Sequence, residues 1–245
     1  MLPVSDAWRP TVLSGSFEKG YVRLEDGIGI LQIRWQTARQ SPDLRARVSS
    51  YLTLLEKSAR KQKKAIQFKQ EDAAFRWHGD AKGYGAALWD ERHRRVFLVE
   101  RSGPSDVSFK REAKEQIEGL TFPDGEFLPW EVLGLRIRLP KTFRFHRWDP
   151  LAGRIRLIFR SRLSTLTAER WSLADRLLRE GSLVDWARQA IGGNPTQAAA
   201  GVVGVEIGRL IRESCLAVHQ PDRNQILVLR ERGIRRLLDL NECLP

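Results

Sequence analysis

Apolar and polar residues alternate in several short windows of this chain. Leu31, Ile33 and Trp35 alternate with Gln32 and Arg34, the period of two expected of a half-buried strand. Glu25-Asp26-Gly27 supplies turn chemistry ahead of them, so residues 21–35 read as two strands. The period then changes. Leu44, Val48, Tyr51, Leu52, Leu55 and Ala59 recur at helical spacing and form one apolar face. Ser41 is placed to cap this helix with Pro42 at its first position, and a lysine cluster closes it where the helix dipole favours cations. Residues 75–78 read as a strand, and residues 86–89 and 96–99 as the arms of a hairpin with a polar tip at 90–95. A second helix is expected over about 105–117, carrying Phe109, Ala113 and Ile117 and stopping at Gly119.

Pro123-Asp124-Gly125 is the best boundary in the chain, and after it the order starts again. Leu135, Ile137 and Leu139 alternate with Arg136 and Arg138; Ile155, Leu157 and Phe159 alternate with Arg154, Arg156 and Arg160, with Ile158 breaking the pattern. Trp171, Ala174, Leu177 and Leu178 read as one face of a helix that stops at Gly181. Ser182 and Asp185 form a capping box for the next helix, which buries Leu183, Trp186, Ala187 and Ile191. Residues 215–218 and 226–229 read as strands around a polar turn at 220–224, and Ile234, Leu237 and Leu238 as a last helical turn.

The two halves match each other. Residues 85–103 fall on 215–233, so that Ala86-Ala87-Leu88 meets Leu216-Ala217-Val218 and Val96-Phe97-Leu98-Val99 meets Ile226-Leu227-Val228-Leu229. Leu31, Ile33 and Trp35 fall on Ile155, Leu157 and Phe159 at a slightly different offset. The period is too long for a solenoid. The expected fold is therefore α+β, two tandem repeats over 1–125 and 126–245, each an antiparallel sheet packed with helices. Trp8-Arg9-Pro10 entering the first strand, residues 30–35 before the helix, and Phe75-Arg76-Trp77-His78-Gly79-Asp80-Ala81 before the hairpin give an order that resembles the PsbP-like α/β sandwich. The resemblance covers both halves, the first better than the second. It implies a non-enzymatic assembly or binding factor and assigns no functional residue.

Composition narrows the class. Eight Trp and ten Phe supply ample core for a chain of 245 residues, which argues against disorder, and two Cys cannot make a disulfide scaffold. No uncharged apolar run approaches the roughly 20 residues that span a bilayer. The greasiest stretch, 198–211, is short and carries Glu206 and Arg209. Residues 1–10 have no basic region followed by an apolar one, so no signal peptide is read and cytoplasmic residence is expected.

The net charge is +12, and the excess is arginine: 32 Arg against 10 Lys. A GC-rich genome is one explanation; the fit of the guanidinium fork to phosphate and carboxylate is another. Between 136 and 162 nine basic residues face one acid, Asp149. If the strands there are neighbours, Arg136, Arg138, Arg154, Arg156 and Arg160 line one solvent face of a sheet, with Phe143, Phe145 and Trp148 available to stack on bases or guanidinium groups. The competing reading is that acids elsewhere in the fold already pair these arginines. Lys61, Lys63 and Lys64, with Lys57 and Arg60, form a second cluster that is either a solvated helix end or a contact surface.

Familiar catalytic patterns do not occur. There is no P-loop, no Gly-x-Ser-x-Gly elbow, no His-Glu-x-x-His and no Cys-x-x-Cys, so neither a cofactor nor a metal is expected. Gly201, Gly204 and Gly208 lack the dinucleotide fingerprint and read as close backbone packing. His78 and Asp80 form either an acid/base pair at a strand end or a polar turn. Cys215 and His219 would lie about 13 Å apart on a strand, too far for a nucleophile and its base, and Cys215 reads as core. His93 reads as a solvated loop tip and Cys243 as part of a loose C-terminus. The expected function is a non-catalytic binding or assembly module whose basic sheet face takes an acidic partner, nucleic acid or an acidic protein surface, without a membrane. The alternatives are a protein–protein adaptor or subunit that binds no nucleic acid and, less favoured, an enzyme with an unfamiliar site at His78 and Asp80.

Overall fold

The computed structural model describes residues 7–15, 18–121, 125–207, 212–234 and 238–244. The chain divides into two compact units, 1–123 and 124–245. Of the boundary tripeptide, Pro123 and Asp124 lie outside the described residues.

In the first unit the described residues form one antiparallel sheet of β1 (Arg9–Gly15), β2 (Lys19–Glu25), β3 (Ile30–Thr37), β4 (Gln67–Glu71), β5 (Ala74–His78), β6 (Ala81–Asp90) and β7 (Arg95–Pro104), in the order β1-β2-β3-β7-β6-β5-β4. Helix α1 (Leu44–Lys61) joins β3 to β4, and α2 (Lys110–Glu118) follows β7. Strand alternation gives the sheet two apolar faces. Ala87 pairs with Leu98 on one face, where α1 lays Val48, Leu52 and Tyr51 over Phe75. Ala86 pairs with Val99 on the other, where Leu31, Ile33 and Phe97 meet Ile117 of α2. Gly83 and Gly85 allow the first packing: a Cβ on them would stand 2.2 Å from the Trp77 indole and 2.3 Å from the Phe75 ring.

In the second unit β10 (Arg144–Leu151), β11 (Arg154–Arg160), β12 (Ser164–Ser172), β13 (Thr196–Ala199), β14 (Val202–Ile207), β15 (Arg212–Gln220) and β16 (Gln225–Gly233) form a sheet of the same plan, β10-β11-β12-β16-β15-β14-β13. The helices α3 (Ala174–Leu177) and α4 (Leu183–Ala190) occupy the place of α1, and Trp186 and Ala187 cover Val203, Val205, Cys215, Ala217 and Val228. A separate hairpin of β8 (Phe127–Val132) and β9 (Leu135–Pro140) stacks Trp130 on Phe145 and Phe159 of the opposite face.

The expectation of an α+β fold fails. Of the described residues 51% are strand and 19% helix, so the protein is mainly antiparallel sheet. The reason is local. Trp171 lies on β12, and the helix read over 171–178 shrinks to the single turn of α3. Strand β1, the first strand that Trp8-Arg9-Pro10 enters, runs to Gly15. The last helical turn, read at Ile234, Leu237 and Leu238, falls on 235–237, which lie outside the described residues; after them the chain makes consecutive turns, with the Glu242 N–H donating to the Asp239 carbonyl and the Cys243 N–H to that of Leu240. Helix α1 begins at Leu44, capped by the Asp43 carboxylate accepting from the Ala46 N–H at 2.9 Å; Ser41 and Pro42 precede the cap. Helix α2 starts at Lys110, later than read, because β7 runs on through Pro104. The Ser182–Asp185 capping box is present as read.

Register sharpens the internal match. Ala86 opposite Val99 corresponds to Leu216 opposite Leu229, the offset read from the sequence. The counterpart of β3, however, is β12 and not β11: Ile30 opposite Ser102 corresponds to Thr165 opposite Arg232. Strands β1 and β10 even carry their bulge at the same place, between Pro10 and Val12 and between Phe145 and Arg147.

Candidate anion-binding face

The antiparallel register of the second sheet lines up rows of side chains that share one face. Arg144, Arg160, Thr165 and Arg232 stand opposite one another across β10, β11, β12 and β16. The next row is Arg147, Ile158, Thr167 and Arg230; the third is Asp149, Arg156, Glu169 and Val228; the fourth is Leu151, Arg154, Trp171 and Ile226. The helices of this unit pack over β14, β15 and β16 and leave the β10 and β11 half of the face to solvent, so that Arg144, Arg147 and Arg160 are exposed.

Acids neutralise the lower rows. Glu169 takes Arg156 at 2.7 Å and Arg154 at 3.9 Å, and Asp149 takes Arg147 at 3.4 Å and Arg156 at 4.0 Å. The Trp171 indole N–H donates to Glu169 at 2.9 Å, and the Arg154 guanidinium lies 4.7 Å from the centre of the Trp171 ring. Arg230 is held by Glu213 at 3.2 Å. In the first row Arg160 and Arg232 make no ion pair among the described residues, although Glu213 stands opposite Arg232 on β15, and Arg144 and Arg160 are opposed directly. Like charges in that relation destabilise a sheet. Their field reaches His146 in the bulge, whose pKa is held below the ordinary value by desolvation and by the charges of Arg160 and Arg147.

The five arginines singled out from the sequence are therefore not one constellation. Arg136 and Arg138 do share a strand face, but on β9, in the separate hairpin; Arg136 pairs with Glu131 at 2.5 Å and Arg138 lies 5.9 Å from the Phe127 ring centre. Arg154 and Arg156 are occupied, as the competing reading required. Of the three on this face, Arg160 alone makes no ion pair among the described residues, and Arg232 joins it; Arg144 and Arg147 stand beside them on the same face, Arg147 on Asp149. Arg144 and Arg147 lie within the basic run, but the bulge at His146 breaks the period that would have assigned them to a strand. Arg232 is far along the chain and enters the row only through β12. Phe143 and Phe145 are buried, so they do not offer rings to a ligand. Of the lysine cluster, Lys61 ends α1, Lys63 and Lys64 follow it, and Lys64 reaches Asp80 at 3.3 Å.

Equivalent positions in the first unit serve as an internal control. The row matching Arg144, Arg160, Thr165 and Arg232 is Arg9, Glu25, Ile30 and Ser102. One base and one acid face each other there, so the same sheet geometry does not require an arginine row.

Other candidates resolve into structure. Asp80 turns to Lys64, which leaves His78 without the acid proposed for it. Cys215 is buried under α4, and burial pushes its thiol up to about 12. Cys243 is buried as well, its carbonyl accepting from the Arg138 N–H at 2.8 Å, which corrects the reading of a loose end. His93 holds the buried Asp90 at 2.6 Å and is not a solvated tip. Gly201 adopts the left-handed region at φ 70°, while a Cβ on Gly204 would meet nothing, so close packing does not explain that glycine; Gly208 lies outside the described residues. No group of three or more metal-ligating side chains occurs among the described residues.

No family model matches this chain, and no curated protein or solved structure matches it. No helix among the described residues is long and apolar enough to cross a membrane.

Proposed function

We propose that the chain is a non-catalytic binding module whose second unit holds an acidic partner on the open face of β10 and β11. The observation that carries this reading is the pair Arg160 and Arg232, which share one row of the sheet face and make no ion pair among the described residues, while the acids nearby are taken by other arginines. Charge of one sign retained at a cost to the fold is stabilised when a polyanion arrives. The resemblance to the PsbP-like sandwich implies a binding or assembly role and points the same way.

Salt dependence tests the reading. The chain is expected to bind a polyanion, mixed-sequence oligonucleotide or polyglutamate, at 50 mM salt, and to lose affinity along a straight line of log K against log salt. Each phosphate contact contributes about 0.9 to that slope on duplex DNA. Changing Arg160 and Arg232 together to Ala makes the slope shallower by about two on that scale. Changing Arg154 to Ala leaves it in place, because Arg154 serves Glu169 and Trp171. Absence of binding to either polyanion at 50 mM salt would overturn the proposal.

A further inference from the structure

The C-terminal end of α1 does not close onto the first sheet. Between its last turns and the β5–β6 turn lies a cleft of about 210 Å³, walled by Leu55, Ala59, Ile66, Trp77 and Ala81. These side chains are half-buried, and Leu55 and Trp77 carry the core of Leu52 and Phe75 outward toward solvent. Two glycines shape the cleft. Gly83 leaves room for the Trp77 indole, and Gly79 lets the turn lie against Ala65, whose carbonyl oxygen would stand 2.6 Å from a Cβ. Lys64 and Asp80 line the mouth as an ion pair at 3.3 Å, 52% and 71% exposed. The chain turns back at Lys63, which holds the left-handed φ of 56°, and the Lys64 N–H then donates to the Ala59 carbonyl at 3.0 Å.

We infer that this cleft binds a small carboxylic acid with an apolar body, the body against Trp77 and the carboxylate on Lys64. The volume is below the roughly 300–1,000 Å³ of sites for drug-sized ligands, which limits the body to a single ring or a short chain. Charge complementarity commits the head to an anion. Lys61 and Lys63 flank Lys64 in sequence, are exposed, and make no ion pair among the described residues, so the mouth keeps positive charge that Asp80 does not cancel. The helix dipole explains the cations in the last turn of α1, Arg60 and Lys61, whereas Lys63 and Lys64 lie beyond it. An exposed ion pair is held weakly, so a ligand carboxylate can take the place of Asp80 on Lys64. Register supplies a control here too. The row of Trp77, Gly83 and Ser102 corresponds in the second unit to Ile207, Glu213 and Arg232. Glu213 stands where the first unit keeps a bare glycine for the indole, so a cleft floored in this way is particular to the first unit. The site does not depend on the arginine face of the second.

The test follows the Trp77 indole N–H by NMR in the full chain, assigned from its absence in Trp77→Phe. The probes are phenylacetate, phenylacetamide, phenethylammonium and acetate. Phenylacetate is expected to shift the Trp77 resonance saturably, and the neutral amide to bind about twofold to fivefold more weakly, the range of an exposed ion pair. Lys64→Gln removes that preference. Asp80→Asn, which frees Lys64 from its partner, tightens phenylacetate by about twofold and leaves the amide unchanged. Both positions are exposed, so these variants keep the fold. Ala59→Leu fills the cleft and abolishes binding of acid and amide alike, with an unchanged thermal midpoint as the check on folding. Retained binding in Ala59→Leu places the ligand elsewhere and overturns the site. So does the lack of a saturable shift with phenylacetate up to about 10 mM, above a millimolar dissociation constant. Equal binding of acid and amide, or tighter binding of the ammonium, overturns the anionic head. Acetate binding as tightly as phenylacetate overturns the apolar body.

Discussion

Two neighbouring positions on β7 and β16 show how one sheet plan accommodates opposite charges. Glu100 and Arg101 of the first unit correspond in register to Arg230 and Glu231 of the second. Arg101 is buried between Trp8 and Phe109, with Asp26 at 3.1 Å, while Glu231 is buried and accepts from the Leu238 N–H. Glu100 is buried beside α1, where it accepts from the Tyr51 hydroxyl, and Arg34 stands over the rings of Tyr21 and Tyr51. Burial raises the Glu100 pKa above the ordinary 4.5, against the opposing pull of Tyr51 and Arg34. A carboxyl raised on folding binds its proton more tightly in the native state. It therefore favours the fold at and below the unfolded value, and that contribution is lost as pH rises through the folded one. Stability of the first unit should fall as pH climbs above about 4.5, and Glu100→Gln, which keeps an acceptor for Tyr51 without the charge, should flatten the fall. Urea denaturation followed at several pH values checks this; an unchanged pH profile in the variant would show that Glu100 is not the titrating group. None of this is visible in sequence, because the two charges simply follow the apolar run 96–99 and no period marks them as buried.

Elements were legible in proportion to the strength of their period. The α1 face and the alternations of β9 and β11 emerged because their inward positions, Ala59 aside, are large aliphatic or aromatic residues. Strand β12 did not, since Ala168 and Arg170 take inward positions and its last residues, Trp171 and Ser172, run into the turn of α3. In strands β1 and β10 the alternation failed for another reason: an extra residue in each bulge shifts it partway along. That one missing strand, β12, separated β11 from β16 in the sequence reading and hid Arg232 from the site. Caps were legible when the motif was reciprocal, as at Ser182 and Asp185, and misplaced when two candidates stood close together, as at Ser41 and Asp43. The Asp43 cap makes its own prediction. Asp43→Ala should cost about 1 kcal/mol and reduce amide protection in the first turn of α1, while Ser41→Ala should be near neutral. Equal effects of the two substitutions would mean that the helix start is not set by the Asp43 carboxylate.

At the scale of the whole molecule, the internal match read from 85–103 and 215–233 survives as register, because those segments are the central strands whose pairing fixes both sheets. Each unit carries its own core. Leu52 is buried on Phe75 and Ala87 in the first, and Leu157 lies between Phe159 and Ile155 on a fully buried stripe of β11 in the second. A cavity made in either core removes contacts belonging to that unit alone. Leu52→Ala and Leu157→Ala should each destabilise by about 2–5 kcal/mol, and native-state hydrogen exchange should register the loss only in the unit that carries the change. Protection lost in both units from a single substitution would mean that they unfold as one body. The distinction matters for the proposed site. If the units open separately, Leu52→Ala weakens the first while the arginine row of the second keeps its geometry, so binding of a polyanion should be unchanged in that variant, whereas Leu157→Ala, on the opposite face of the strand that carries Arg160, should weaken it as β11 loses its support.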